Sequence, residues 1–157
     1  LTARRWIVAL LFAALASGCG TAARYRAPGD RVDRIRLLPP VAGTVSSAFG
    51  DRSGGRHAGI DILAPSGEEV RAAASGRASF AGNGMRGYGN AVILDHGDGI
   101  ETLYGHLSTI RVQSGDTVTA GTAIGTVGRS GNATTHHLHF ELRVDGEPRD
   151  PVPYLSR

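Results

Sequence analysis

Beyond residue 40 the chain is a succession of short apolar runs cut by glycine and polar clusters, and several runs alternate. Ile60-Asp61-Ile62-Leu63 alternates with the period of two that predicts a strand, Ala91-Val92-Ile93-Leu94-Asp95-His96 reads as a strong strand, and Ile100-Glu101-Thr102-Leu103-Tyr104 as the strand that pairs back on it. Gly97-Asp98-Gly99 predicts a hairpin turn between the last two. Gly43 to Gly50 reads as a strand and turn, Glu69-Val70-Arg71-Ala72 and Gly76 to Ala81 as further strands, and Val112 to Gly128 as spaced Val and Ile between glycine turns. Asp51 to Gly59 reads as a glycine-rich loop ending around His57. No long segment carries apolar residues at helical spacing. The pattern therefore predicts an all-β, compact antiparallel domain, two-layered or barrel-like, over residues 41–157.

One predicted strand stands apart. In His136-His137-Leu138-His139-Phe140-Glu141, alternation turns His137, His139 and Glu141 to one face and Leu138, Phe140, Leu142 and Val144 to the other. Three of the six histidines of the chain lie here, on a strand with an apolar back. Two imidazoles on one face suit a metal, or a metal and a base.

The amino terminus is built differently. Arg4-Arg5 precedes an apolar run, Trp6 to Ala16, shorter than the roughly 20 residues that a spanning helix takes. A basic start, a short apolar run and small residues make an export signal, residues 1–18. Its end, Ala16-Ser17-Gly18-Cys19, resembles the bacterial lipobox, which implies a lipid on Cys19 and a membrane anchor. Gly20 in place of Asp favours the outer membrane where the cell has one; without the lipid, the protein would be secreted or periplasmic. Cys19 is the only cysteine, which excludes an intrachain disulfide and a Cys-based metal site. Residues 19–40, rich in Arg, Ala, Pro and Gly, read as a flexible basic linker. The net charge of +3 comes largely from arginines ahead of the domain, so no nucleic-acid-binding face is indicated.

Within the domain, His57-Ala58-Gly59-Ile60-Asp61 places His and Asp, both good zinc ligands, where a loop enters a strand. With one of the strand histidines they make a His₂Asp set, which leaves a fourth position open for water, as in catalytic zinc sites. Tyr104-Gly105-His106-Leu107-Ser108 offers a fourth imidazole. Asp61 capping a turn and His106 on an exposed hairpin are the plain alternatives, but both motifs occur together with the His-rich strand.

These three segments, in this order, closely resemble the signatures of the lysostaphin-like (LytM-type) zinc metallopeptidases, which cut peptide bonds in bacterial peptidoglycan. Ala64-Pro65-Ser66-Gly67, Tyr88-Gly89-Asn90 and Gly128-Arg129-Ser130-Gly131 extend the resemblance to about Asp150-Pro151. It implies a β fold of the duplicated-hybrid-motif type, Zn²⁺ bound by His57, Asp61 and His139, and His106 and His137 as the catalytic pair. Of that pair, one would take a proton from water and the other stabilise the oxyanion, without a division of the two roles. Where relatives commonly have Gly-Pro before the H-x-H, this chain has Thr135-His136, a departure that bears on loop shape and substrate preference. Glu141 is placed to orient a ligand, and Tyr88, Asn90 and Tyr104 either line the groove or pack in turns and core. The implied protein is an exported, envelope-bound peptidoglycan hydrolase, with room for an envelope regulatory protein as partner.

Two other functions compete with this one. Some relatives of the fold have lost metal ligands and activate cell-wall amidases, whereas all five functional positions are present here. Val112 to Gly121 resembles a lipoyl or biotinyl carrier hairpin, but the chain has no Lys to carry the prosthetic group.

Overall fold

A computed structural model describes residues 35–156. Cys19 and the export signal lie outside the described residues. Twelve strands follow in order: β1 (Thr44–Ser47), β2 (Gly50–Arg52), β3 (Gly55–His57), β4 (Ile60–Leu63), β5 (Glu69–Arg71), β6 (Gly76–Met85), β7 (Gly89–Asp95), β8 (Ile100–Ile110), β9 (Thr117–Val118), β10 (Ala123–Val127), β11 (His137–Val144) and β12 (Glu147–Arg149). Among the described residues the one helical piece is a 3₁₀ turn at Val152–Tyr154, so the domain is all-β as the periodicity predicts. All strand pairings are antiparallel. The main sheet runs β1-β4-β11-β8-β7-β6-β9, with β10 pairing β5 and β8, and β12 pairing β11.

The apolar face of β11 is the centre of the core. Leu138, Phe140 and Leu142 are fully buried, with Ile60 of β4, Leu94 of β7, Tyr104 and Leu107 of β8 and Ile124 of β10. The Phe140 and Tyr104 rings lie 5.3 Å apart between centroids. β11 is paired on both edges, to β4 and to β8, so its register is fixed twice over. Asp145-Gly146, at φ of 51° and 82°, turns it into β12.

β8 changes partner along its length. Ile100 to Gly105 pair with β11, and Leu107 to Ile110 with β10. The changeover falls on His106, whose φ of 63° is a left-handed conformation that a side chain rarely adopts.

Two expectations shift. The glycine-rich segment after Phe49 is largely a two-stranded hairpin, β2–β3, with Asp51 opposite Arg56. Most of its residues are exposed, so no apolar alternation marked it as strand. The packed unit also begins before residue 41. Leu37 is fully buried and bridges Leu155, its N–H donates to the Tyr154 carbonyl, and the Leu38 N–H donates to the Ala73 carbonyl. Apolar Leu37 thus belongs to the core although its neighbours have linker composition.

Candidate metal centre

Register brings the first two donors together. His139 of β11 sits directly opposite Asp61 of β4, so both side chains rise from the same face of adjacent strands. His57 ends β3, and Ala58-Gly59 turn the chain into β4. That turn needs glycine, because a Cβ on Gly59 would lie 2.2 Å from the Phe140 carbonyl oxygen.

The three donor atoms form a nearly equilateral triangle. His57 Nε2 is 3.1 Å from Asp61 Oδ1 and 3.1 Å from His139 Nδ1, and His139 Nδ1 is 2.9 Å from Asp61 Oδ1. The outer nitrogens are already committed. His57 Nδ1 lies 2.8 Å from the Ala48 carbonyl, which fixes the proton there. His139 Nε2 lies 2.9 Å from Glu141 Oε1, which fixes its proton likewise. Two imidazole lone pairs and a carboxylate oxygen therefore converge, and what such a set needs at its middle is a cation. Burial raises the Asp61 carboxyl, but the hydrogen bond from His139 and the charges of His57, His139 and His137 together outweigh this and hold it below the usual carboxylate range. Burial lowers His139, yet its bonds to Asp61 and Glu141 win, and the ring is pushed up from the ordinary histidine value. A proton on Nδ1 fills the triangle in this way, and a metal ion fits the same place. Tetrahedral zinc ligands at about 2.0–2.1 Å are separated by roughly 3.3 Å, close to the edges seen. The residues present fit the group.

His106 and His137 flank the triangle. Their ring centroids are 4.8 Å apart and edge-on. His137 Nδ1 is 3.0 Å from the Thr135 carbonyl, and His106 Nδ1 is 2.9 Å from the Ser130 carbonyl. Both N–H groups donate outward, which leaves the two Nε2 lone pairs for the cleft; His137 Nε2 comes within 3.6 Å of Asp61 Oδ1. Burial pushes the His106 imidazole below its ordinary value, against the pull of the Ser130 carbonyl.

The cleft has a volume of about 400 Å³ and is lined by all four imidazoles together with Asp61, Tyr88, Asn132 and Thr134. All five sequence-predicted site residues thus meet in one place. Of the three groove candidates, Tyr88 lines the cleft. Asn90 instead braces the loop behind it, its side chain donating to the Leu107 carbonyl and its N–H to Ser130 Oγ. Tyr104 is fully buried on the core side, so of the two readings open for it the packing one holds. His136 is exposed, and His96 lies elsewhere, 2.8 Å from Thr102 Oγ1.

Sequence reasoning missed the arginines. Arg52 reaches the cleft from the β2–β3 hairpin, with Nη1 3.1 Å from Ser47 Oγ and 3.8 Å from Asp61 Oδ2. No strand pattern located that hairpin. Arg143 donates to Glu141 Oε2 at 2.7 Å. Alternation from His139 through Glu141 could have found Arg143, since it is the next residue on that face.

Comparison with known proteins points the same way. Residues 55–151 match the profile of Peptidase family M23. The chain is 45% identical over 124 residues to the DD-carboxypeptidase/endopeptidase Mpg of Neisseria meningitidis serogroup B, covering 75% of this chain and 28% of that protein. It is 41% identical over 118 residues to the murein hydrolase activator NlpD of Escherichia coli strain K12, covering 75% of this chain and 31% of that one. The chain therefore spans less than a third of either relative. Its fold matches the antimicrobial peptidase lysostaphin from Staphylococcus simulans with a TM-score of 0.67 at 34% identity, over 71% of this chain and 48% of lysostaphin.

Proposed function

The chain belongs to peptidase family M23, and on that footing we propose that it is a zinc-dependent endopeptidase hydrolysing peptide bonds in bacterial peptidoglycan. The observation that carries this reading is the triangle of facing donor atoms, 2.9–3.1 Å on its edges, beside two imidazoles whose Nε2 lone pairs are free. His57 Nε2, Asp61 Oδ1 and His139 Nδ1 would hold the zinc. When bound there, zinc supplies Lewis acidity to water and to the scissile carbonyl. The Nε2 atoms of His106 and His137 accept and return the proton and, once protonated, donate to a developing oxyanion. Backbone carbonyls at Ser130 and Thr135 keep both rings turned to the cleft, so neither has to reorient as the peptide reacts.

The name of one relative, a murein hydrolase activator, favours a second reading: a domain that activates a separate wall hydrolase, such as an amidase, without cutting peptides itself. The lipobox-like Ala16-Ser17-Gly18-Cys19 supports export and a lipid anchor, with peptidoglycan as the envelope partner under either reading. Incubating the full chain with purified sacculi, with and without chelator, and analysing the released peptides by mass spectrometry separates the two. An endopeptidase releases peptides cut at amide bonds, stops on chelation and recovers with zinc. An activator leaves sacculi intact alone but speeds an added amidase.

A further inference from the structure

Four imidazoles line the cleft, and three are held the same way. His57, His106 and His137 each give the Nδ1 proton to a backbone carbonyl, of Ala48, Ser130 and Thr135, and present Nε2. His139 is reversed, with Nδ1 facing the other donors and Nε2 facing away. Its place explains the reversal. It stands in the middle of the sheet with Asp61 directly across, so the nitrogen nearer the backbone is the one that meets its neighbour. β11 pairs on both edges here, and its carbonyls are committed to the ladders. A side chain has to fix the outer nitrogen, and the group found there is Glu141.

We infer that Glu141, itself locked by Tyr88 and Arg143, is a positioning residue that fixes His139 with its proton on Nε2 and its Nδ1 turned to the metal. The inference rests on the reading that His57, Asp61 and His139 hold a metal. Glu141 is 0% exposed, and a carboxylate at that depth is costly unless its oxygens are met. Oε1 accepts from His139 Nε2 at 2.9 Å and from the Tyr88 hydroxyl at 2.7 Å, while Oε2 accepts from Arg143 Nε at 2.7 Å. Arg143 Nη2 also lies 3.4 Å from the Tyr88 hydroxyl, which closes the ring of contacts. The stem is confined too, since a Cβ on Gly59 would lie 2.8 Å from Glu141 Cγ. An imidazole that donates to a carboxylate is a more basic ligand at its other nitrogen, and it cannot flip without breaking that bond. Tyr88 links the network to the cleft, which its ring lines.

The test uses the full chain and zinc alone as probe. Chelator competition measures zinc affinity in the wild type, Glu141→Gln and Tyr88→Phe, next to the melting temperature of each metal-free protein. Glu141→Gln keeps the shape and an acceptor but loses the charge, and zinc affinity should fall by roughly 10–100-fold. Tyr88→Phe, which spares the carboxylate, should lose less in the same direction and carries the test if Glu141→Gln does not fold. In the metal-free wild type, nitrogen-resolved NMR should find a proton on His139 Nε2 that is protected from exchange. A pair that only holds the fold would lower melting and leave zinc affinity within about threefold, and that result overturns the proposal. So does an unprotonated Nε2, whether or not zinc binds. A wild type that takes up no zinc but keeps the Nε2 proton removes the metal reading and leaves the orientation of His139 standing.

Discussion

Two histidine sites at different places in the fold share half of their wiring and differ in the other half. In the cleft, His106 gives its Nδ1 proton to the Ser130 carbonyl at 2.9 Å; away from it, His96 gives its own to the Ser75 carbonyl at 2.9 Å. The second nitrogen decides what each site is. His96 Nε2 lies 2.8 Å from Thr102 Oγ1, Thr102 Oγ1 lies 2.9 Å from the Tyr104 hydroxyl, and the Ala73 N–H donates to that hydroxyl at 2.8 Å. The chain of bonds runs from backbone to backbone with both ring nitrogens and both hydroxyls paired. In the cleft the corresponding lone pairs end on each other or on open space. A closed network stabilises the fold, whereas an open one retains groups that can bind a cation or move a proton. Changes in the cleft should therefore cost chemistry and spare the fold, and changes in the closed network should do the reverse.

The largest expected effect comes from removing one of the three proposed ligands. His57→Ala, Asp61→Ala and His139→Ala should each bring zinc content by elemental analysis, and sacculus cleavage with it, to background. If His137→Ala loses zinc while His139→Ala keeps it, the ligand assignment is reversed and the open site lies elsewhere in the cleft.

Next come the flanking imidazoles. His106→Ala and His137→Ala should keep their zinc and their metal-free melting temperature, while cleavage falls by roughly 10²–10⁴-fold. Full activity in His106→Ala would assign that residue to the bulge in β8 and not to the reaction.

In the closed network, Tyr104→Phe removes one oxygen and leaves the Ala73 N–H buried without its acceptor. Urea unfolding should show a loss of about 1–3 kcal/mol, with zinc uptake and cleavage unchanged. A stability loss together with lost zinc would mean that the two regions are coupled and the contrast fails.

The smallest effect is in pH. Burial holds His96 below its ordinary value of 6.5 against the pull of the Ser75 carbonyl. The unfolded chain then binds more protons than the folded one once the pH drops below about 6.5, so this residue's contribution is present above that value and lost as pH falls through the folded pKa. Metal-free wild type should lose more stability than His96→Gln between about pH 7 and about pH 5. Parallel melting curves for the two would show that His96 does not titrate differently on folding.

Much of this was legible in the sequence because a strand's period of two needs no partner to be read. Alternation alone put His137, His139 and Glu141 on one face of β11 and Leu138, Phe140, Leu142 and Val144 in the core, and it extends to Arg143. The β2–β3 hairpin and Leu37 were not legible. A solvated ribbon has no apolar stripe, and a single buried leucine has no period.

Tertiary structure decided how the strands meet and where alternation breaks. Nothing local places Asp61 opposite His139; pairing of β4 with β11 does, and it brings together donors 78 residues apart along the chain. His106 is the sharper case. By alternation it would share the core side with Tyr104 and leave Gly105 alone beneath His139, which is where Gly105 lies, with a Cβ there falling 3.5 Å from His139 Cβ. At a φ of 63° the chain bulges, so that His106 follows Gly105 onto the cleft side and Leu107 returns to the core. That conformation costs roughly 1–3 kcal/mol at a non-glycine residue and persists because its surroundings hold it. β8 changes partner from β11 to β10 at this residue, and the His106 N–H donates to the Tyr88 carbonyl at 2.8 Å. The residue types of the site are a property of the sequence, but the turn of this imidazole into the cleft exists only where three strands fix a backbone that the sequence alone would leave extended.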